Sequence, residues 1–381
     1  AHCDAIHPGY GFVAENAGFA RACIDAGLTF IGPAPETLDL FGDKSAARTL
    51  AAELGVAVLP GTNQDTSLAD ARSFLNELGD NGAIMIKALA GGGGRGMRPV
   101  HAESELDDAF EICRTEAQSA FGDGRLYVER LLPHARHIEV QIAGDGSGAA
   151  CHFGDRDCSI QRRRQKIVEI APAPNLSDDL RRRLTDDALK LARAAHYKNI
   201  GTIEFLVEGD EFFFIEANAR LQVEHTVTEA VTGEDLVNLQ FALASGATLR
   251  ELGLAEGAAS PRGHAIQVRV NMESINSDGD IRPSGGTLDA FDIPAGPGIR
   301  VDTFGYAGYC TNANYDSLLA KLIAHGRNFD EAMRKTKSAL AAFKIDGVAT
   351  NSDFLWNILE HPSFKNGDAE TVFVHQTKAM H

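Results

Sequence analysis

No apolar run in this 381-residue chain approaches the roughly 20 residues that a membrane-spanning helix needs, so no membrane association is expected. Basic residues are scarce. Lys and Arg number 36 against 53 Asp and Glu, and the net charge of −17 argues against nucleic acid as a bulk partner. Cysteine is scarce too. Cys3, Cys23, Cys113, Cys151, Cys158 and Cys310 form no CxxC pair and no zinc spacing, and they read as reduced thiols of a cytoplasmic protein. There is no initiating Met, signal peptide, internal repeat or low-complexity tract. The chain opens on Ala5-Ile6 and His7-Pro-Gly-Tyr-Gly11, which reads as the middle of a fold. What remains is 44% hydrophobic and 23% charged, the balance of a globular protein, and the length asks for two or three domains.

The most informative stretch runs from Gly201 to Glu224. Two β-rich runs, Thr202–Val207 and Phe212–Ala217, flank a Glu208-Gly209-Asp210-Glu211 turn and read as a hairpin. Each run carries one carboxylate among apolar neighbours, Glu204 and Glu216. Burying such a charge is costly unless it is paired or binds metal. A three-residue loop, Gly209–Glu211, would set the two acids opposite each other. A divalent cation would relieve their repulsion, and Asn218 adds a neutral oxygen, so the hard-ligand set suits Mg²⁺ or Mn²⁺. An exposed hairpin with solvated acids is the plainer reading. It fits less well, because Asn218, Arg220, Gln222, Glu224 and His225 crowd in where the strand ends.

The second stretch is Lys87 to Met97, with four consecutive glycines, Gly91, Gly92, Gly93 and Gly94. Their backbone amides can wrap an anion closely, and Lys87 and Arg95 supply positive charge. No Gly-Lys-Ser/Thr follows, so this is no P-loop. No helix opens on the last glycine, so it is no dinucleotide fingerprint either. Strand, glycine loop, strand describes a flap over phosphates, and a plain surface loop fits the glycines alone equally well.

Elsewhere the pattern alternates helices and strands. Helices are expected over Glu15–Ala26, with Phe19, Cys23 and Ile24 inward, over Asp43–Leu54 with Asp43 as cap, and over Ser104–Ala120, Ser177–Ala195, Gly233–Ala244 and Asp330–Phe343. Strands are expected over Val56–Leu59, Leu126–Leu131, Arg136–Ala143, Ala149–Phe153, His264–Met272 and Ser317–Ala324. The Gly, Ala, Ser and Pro-rich Ala255–Arg262 reads as a domain boundary.

In order along nearly the whole chain, IHPGYGF (6–12), GDKSAAR (42–48), IKALAGGGGRGM (86–97), YVERLLPHARHIEVQ (127–141), RDCSIQRRRQKIVEIAPAP (156–174), GTIEFL (201–206), FIEANARLQVEHTVTE (214–229), GHAIQVRVNME (263–273) and YDSLLAKLI (315–323) resemble the biotin carboxylase component of biotin-dependent carboxylases. The resemblance implies an α/β (α+β) ATP-grasp fold. Residues 1–42 would be the remainder of an N-terminal α/β domain, 43–260 the ATP-grasp domain with a lid over 58–131, and 261–381 a C-terminal β-rich domain. It implies ATP-dependent carboxylation of biotin with bicarbonate, through carboxyphosphate, within an acyl-CoA or pyruvate carboxylase. Lys44 and Lys87 would meet ATP phosphates, with Gly91 to Gly94, Gly96 and Met97 over them. Glu129 and the backbone to Leu132 would line the adenine site, with His137 and Gln161 near the nucleotide. Glu204, Glu216 and Asn218 would hold Mg²⁺ (or Mn²⁺). Lys166, Arg220, Gln222 and the Val223 backbone would bind bicarbonate, Glu224 would be the base, and Arg269 would face the biotin ureido group. For any one of these charges a surface ion pair is the commoner fate, and their joint spacing tips the balance.

Partners implied are a biotin carboxyl carrier domain, a carboxyltransferase and a second copy of the chain in a homodimer. Biotin is expected on another domain, since no AMKM site is present. Arg164 stands where the family usually has His, Ala90 replaces the first glycine of the flap, and the family's first strands are expected ahead of Ala1. Two alternatives are another ATP-grasp ligase joining a carboxylate to an amine, which would lack Arg220, Gln222 and Glu224, and a non-catalytic scaffold that keeps the fold.

Overall fold

The computed structural model describes residues 2–62, 64–79, 82–90, 96–255, 257, 260–275, 281–312 and 314–376. The flap glycines Gly91 to Gly94 lie outside the described residues. The chain begins with a short parallel pair, Ala5–Ile6 beside Thr29–Phe30, and helix α1 (Ala17–Asp25). Phe19 and Cys23 face inward as expected, but Ile24 is exposed. Helix α2 (Lys44–Glu53) starts at its expected cap, where Asp43 accepts from the Ser45 and Ala46 amides.

A three-stranded sheet follows, with β1 (Ile84–Ala88) between β2 (Met97–Val100) and β3 (Leu126–Arg130). Helices α3 (Leu68–Glu77) and α4 (Glu103–Phe121) cover it. Ile84, Ile86, Leu106, Phe110 and Val128 form a core of its own there.

The large sheet has eight strands, all paired antiparallel. They are β4 (Arg136–Asp145), β5 (Ala150–Arg162), β6 (Gln165–Ala171), β7 (Lys198–Glu208), β8 (Glu211–Asn218), β9 (His264–Asn271), β10 (Ile299–Thr303) and β11 (Leu318–Gly326). Their order across the sheet is β8-β7-β4-β5-β6-β9-β11-β10. Alternation decides which face does what. Ile138, Val140, Ile203 and Phe205 pack beneath α2 and helix α5 (Asp178–Ala194), while His137, Glu139, Thr202 and Glu204, the alternate residues, occupy the other face. Helix α6 (His225–Thr232) follows β8 directly, and helix α7 (Leu236–Ala244) packs against β7. Helix α8 (Phe329–Ala342) covers β9 and β11.

Two strands differ from expectation. Val56–Leu59 forms only a single bridge, Val58 to Phe214. Strand β5 does not stop at Phe153 but runs on through Gly154-Asp-Arg-Asp-Cys-Ser-Ile-Gln-Arg162. That half looks too charged to be buried, yet its charges are paired. Arg156 meets Glu139 at 2.5 Å, Asp157 meets Arg136 at 2.6 Å, and Asp155 meets Arg181.

Candidate active site

The hairpin sets Glu204 opposite Glu216, but not through a three-residue loop. Glu208 pairs with Glu211 across a two-residue turn, which needs the left-handed Gly209 (φ +61°). That register alone would place Ile215 opposite Glu204. A β-bulge at Ile215 inserts one residue and brings Glu216 to the position instead. On the far side of β7, Glu139 of β4 is the partner of Glu204, and Arg156 of β5 is the partner of Glu139. Directly opposite residues share a face, so Glu216, Glu204, Glu139 and Arg156 form one row across four strands.

Lys166, near the start of β6, reaches into this row. Its Nζ donates to Glu139 at 2.6 Å, Glu204 at 2.8 Å and Glu224 at 2.7 Å. Burial alone would lower its pKa, but the three carboxylates outweigh burial and hold it well above the ordinary lysine value. Glu224 sits where β8 gives way to α6. Its second oxygen accepts from Arg269 Nη2 at 3.0 Å. Burial would raise Glu224, yet Lys166, Arg269 and Arg156 hold it well below the ordinary carboxylate value. Arg269 projects from β9, and its Nε donates to Glu169 at 2.6 Å. Burial alone would raise Glu204 as well, and Lys166 and His137 keep it strongly ionised. His137 Nδ1 is 2.7 Å from Gln161 Nε2, and its Nε2 lies 2.9 Å from Glu204 Oε2.

One cavity of about 730 Å³ joins these groups to the nucleotide-site residues expected from the sequence. Its wall includes Lys44, Lys87, Met97, Glu129, Leu132, His137, Gln161, Lys166, Glu204, Glu216, Asn218, Arg220, Gln222, Val223, Glu224 and Arg269. Gly96 stands just outside that wall, where its carbonyl accepts from the Cys113 thiol at 2.9 Å. Lys44, the first residue of α2, lies 3.8 Å from Glu216. Lys87 pairs with Glu129, which Arg48 also meets at 3.2 Å. Burial lowers Lys87 despite that carboxylate. Arg220 is held by Glu15 (2.8 Å) and by Asn218 Oδ1 (2.8 Å).

Four residues of the network escaped the sequence reading. Arg156, fully buried, donates to Glu139, Gln141, Thr202, Gln222 and Thr228. Glu139 and Glu169 hold Lys166 and Arg269, and Glu15 holds Arg220. A signal for Glu139 was present in the alternation of His137, Glu139 and Gln141 with three apolar residues. Glu15, 205 positions from its partner, left none.

Three family models match successive stretches of the chain. They are the biotin carboxylase N-terminal domain over 1–38, the carbamoyl-phosphate synthase L chain ATP-binding domain over 43–252, and the biotin carboxylase C-terminal domain over 267–376. A crystal structure of a Campylobacter jejuni biotin carboxylase complex is 39% identical, covers 98% of this chain and 82% of that one, and superposes with a TM-score of 0.92.

The chain belongs to the biotin carboxylase family.

Biotin carboxylases are ligases, and this chain has their ATP-grasp fold. The biotin carboxylase domain dimer of Hydrogenobacter thermophilus 2-oxoglutarate carboxylase, solved with MgADP, ADP and bicarbonate, is also 39% identical with a TM-score of 0.92, over 99% of this chain and 82% of that one. Human mitochondrial pyruvate carboxylase is 48% identical over 380 residues, which are 99% of this chain and 32% of the relative. The chain thus spans about a third of the length of the curated relatives it matches. Among the described residues no helix is long and apolar enough to cross a membrane.

Proposed function

We propose that the chain carboxylates biotin at the expense of ATP and bicarbonate. The observation that carries this is the unbroken run of charges from the phosphate-facing lysines, Lys44 and Lys87, to the Lys166–Glu224–Arg269 line in one cavity. ATP would enter between the two sheets, with its phosphates toward Lys44 and Lys87. The donor set suits a divalent cation. Glu204 is held ionised by Lys166 and His137, Glu216 is partly exposed beside Lys44, and Asn218 has an amide oxygen that here accepts from Arg220. When bound, such a cation supplies neutralisation of phosphate oxygens.

Bicarbonate would lie against Arg220, Gln222, the Val223 amide and Lys166, with its hydroxyl toward Glu224. As it stands, Glu224 is a weak base, because two cations stabilise its anion. Bicarbonate would take over the Lys166 donor, and each donor surrendered makes Glu224 a stronger base. Glu224 then accepts the hydroxyl proton while the oxygen attacks the γ-phosphorus, and ADP leaves carboxyphosphate behind. Carboxyphosphate releases CO₂, and the freed phosphate takes the biotin N1 proton. The Arg269 guanidinium stabilises the ureido oxyanion, whose N1 then bonds to the CO₂ carbon and gives carboxybiotin.

We assign residues 58–131 to a lid. Biotin would arrive on a carrier domain, and a carboxyltransferase would pass the carboxyl to pyruvate or an acyl-CoA. A homodimer and a cytoplasmic setting complete the proposal, the latter supported by six free cysteines. The Arg220, Gln222 and Glu224 set favours this chemistry over that of a carboxylate–amine ligase. The deciding experiment is phosphate release from ATP with and without bicarbonate and free biotin. Bicarbonate-independent hydrolysis, or none in any condition, would overturn the reading.

A further inference from the structure

Arg164 lines the same cavity but has no role in the chemistry above. It occupies the β5–β6 turn, where Arg163 and Arg164 both adopt left-handed backbone (φ +50° and +64°). They form the two-residue loop of a β-hairpin closed by the Arg162–Gln165 pair, which fixes where the Arg164 side chain starts. Arg164 reaches across the cavity to the small sheet. Its Nη1 donates to the Met97 carbonyl on β2, and its Nη2 lies 3.3 Å from Met85 Sδ on β1. Glu116, a carboxylate close enough to act on it, is taken up by Arg98 at 2.5 Å. A guanidinium with its charge directed at a carbonyl and a thioether makes no ordinary surface ion pair. It ties two sheets together. Met97 is paired with Lys87 across β1 and β2, so the tie acts on the strand pair that carries the phosphate-facing lysine.

We propose that Arg164 is a positioning residue that clamps the small sheet to the large one at the nucleotide end of the cleft. It thereby sets the placement of Lys87 and the rate at which nucleotide leaves. This rests on the nucleotide reading given above.

The test uses the full-length protein with Arg164→Met, which keeps bulk but removes the donors, and Arg164→Lys and Arg164→His, which keep one donor. Hydrogen exchange without nucleotide should speed up about tenfold in strands 84–88 and 97–100 of Arg164→Met, the size expected for losing a charged hydrogen bond. Exchange in the large sheet should not change, and Lys or His should restore part of the protection. With MgATP, KM for ATP and the release of a fluorescent MgADP analogue should each rise about tenfold. The bicarbonate KM should stay within about twofold. Unchanged exchange in the two strands, or an equal rise throughout the large sheet, would overturn the clamp. Wild-type protein that fails to bind the MgADP analogue would sink the nucleotide reading, while the nucleotide-free exchange would still judge the clamp.

Discussion

Lys166 meets three carboxylates and Glu224 two cations, so at the residue scale each charge of the site sets its neighbour's protonation. Removing one member exposes the rest. Glu139→Gln leaves Arg156 and Lys166 short of a buried partner and should cost about 3–5 kcal/mol, measured as a shift in denaturation midpoint. The two half-reactions should separate by residue. Glu224→Gln should abolish bicarbonate-dependent ATP cleavage. Arg269→Ala should keep much of that cleavage but lose carboxybiotin, and equal loss of both signals would count against the ureido role. His225 supplies a pH signature. Burial is the main cause that lowers it from 6.5 to about 4, with nearby Lys321 adding to the effect. Below 6.5 the unfolded chain binds a proton that the folded chain refuses, so stability should fall as the pH drops from 6.5 toward 4. The full effect is about 3 kcal/mol. A His225→Gln variant should show a flatter profile of denaturation midpoint over that window.

At the scale of elements, the Ile215 bulge determines what the hairpin presents. Deleting Ile215 should remove the bulge and give a plain register in which Glu216 still stands opposite Glu204. Divalent-cation-dependent ATP turnover should therefore stay well above that of Glu216→Gln, which loses the carboxylate itself, with far-ultraviolet dichroism unchanged. A loss as deep as in Glu216→Gln would show that the bulge itself is needed, and not the pairing alone. The bulge also marks what the sequence could reveal. The pairing of Glu204 with Glu216 was legible, because both sit in β-rich runs around a glycine turn. Its mechanism was not, because a bulge has no composition of its own. Helix α2 was legible from its Asp43 cap. The second half of β5 was hidden because its strand pattern is written in charges, which mark a buried strand only when their partners on β4 and α5 are known. The glycine run and its lysine were visible in sequence, whereas Glu15 and Glu169 become meaningful only in three dimensions.

At the scale of the whole molecule, the cleft lies between two sheets with separate cores. Such an arrangement allows one body to move on the other, and nucleotide should slow that motion. Hydrogen exchange in strands 84–88 and 126–130 should decrease on adding MgATP, and exchange that did not slow would contradict the assigned lid.

The buried charges also govern the order in which ligands assemble. From Arg156 through Glu139, Lys166, Glu204, Glu224 and Arg269 to Glu169, the site holds three cations against four anions. Bicarbonate approaching alone meets a site already one charge too negative. A nucleotide that arrives with its divalent cation changes that local balance. The two affinities are therefore linked, and linkage is reciprocal: each ligand must tighten the other by the same factor. Calorimetric titration of bicarbonate should give weak binding to the free protein and tighter binding once MgADP is present, with MgADP gaining equally when bicarbonate is added first.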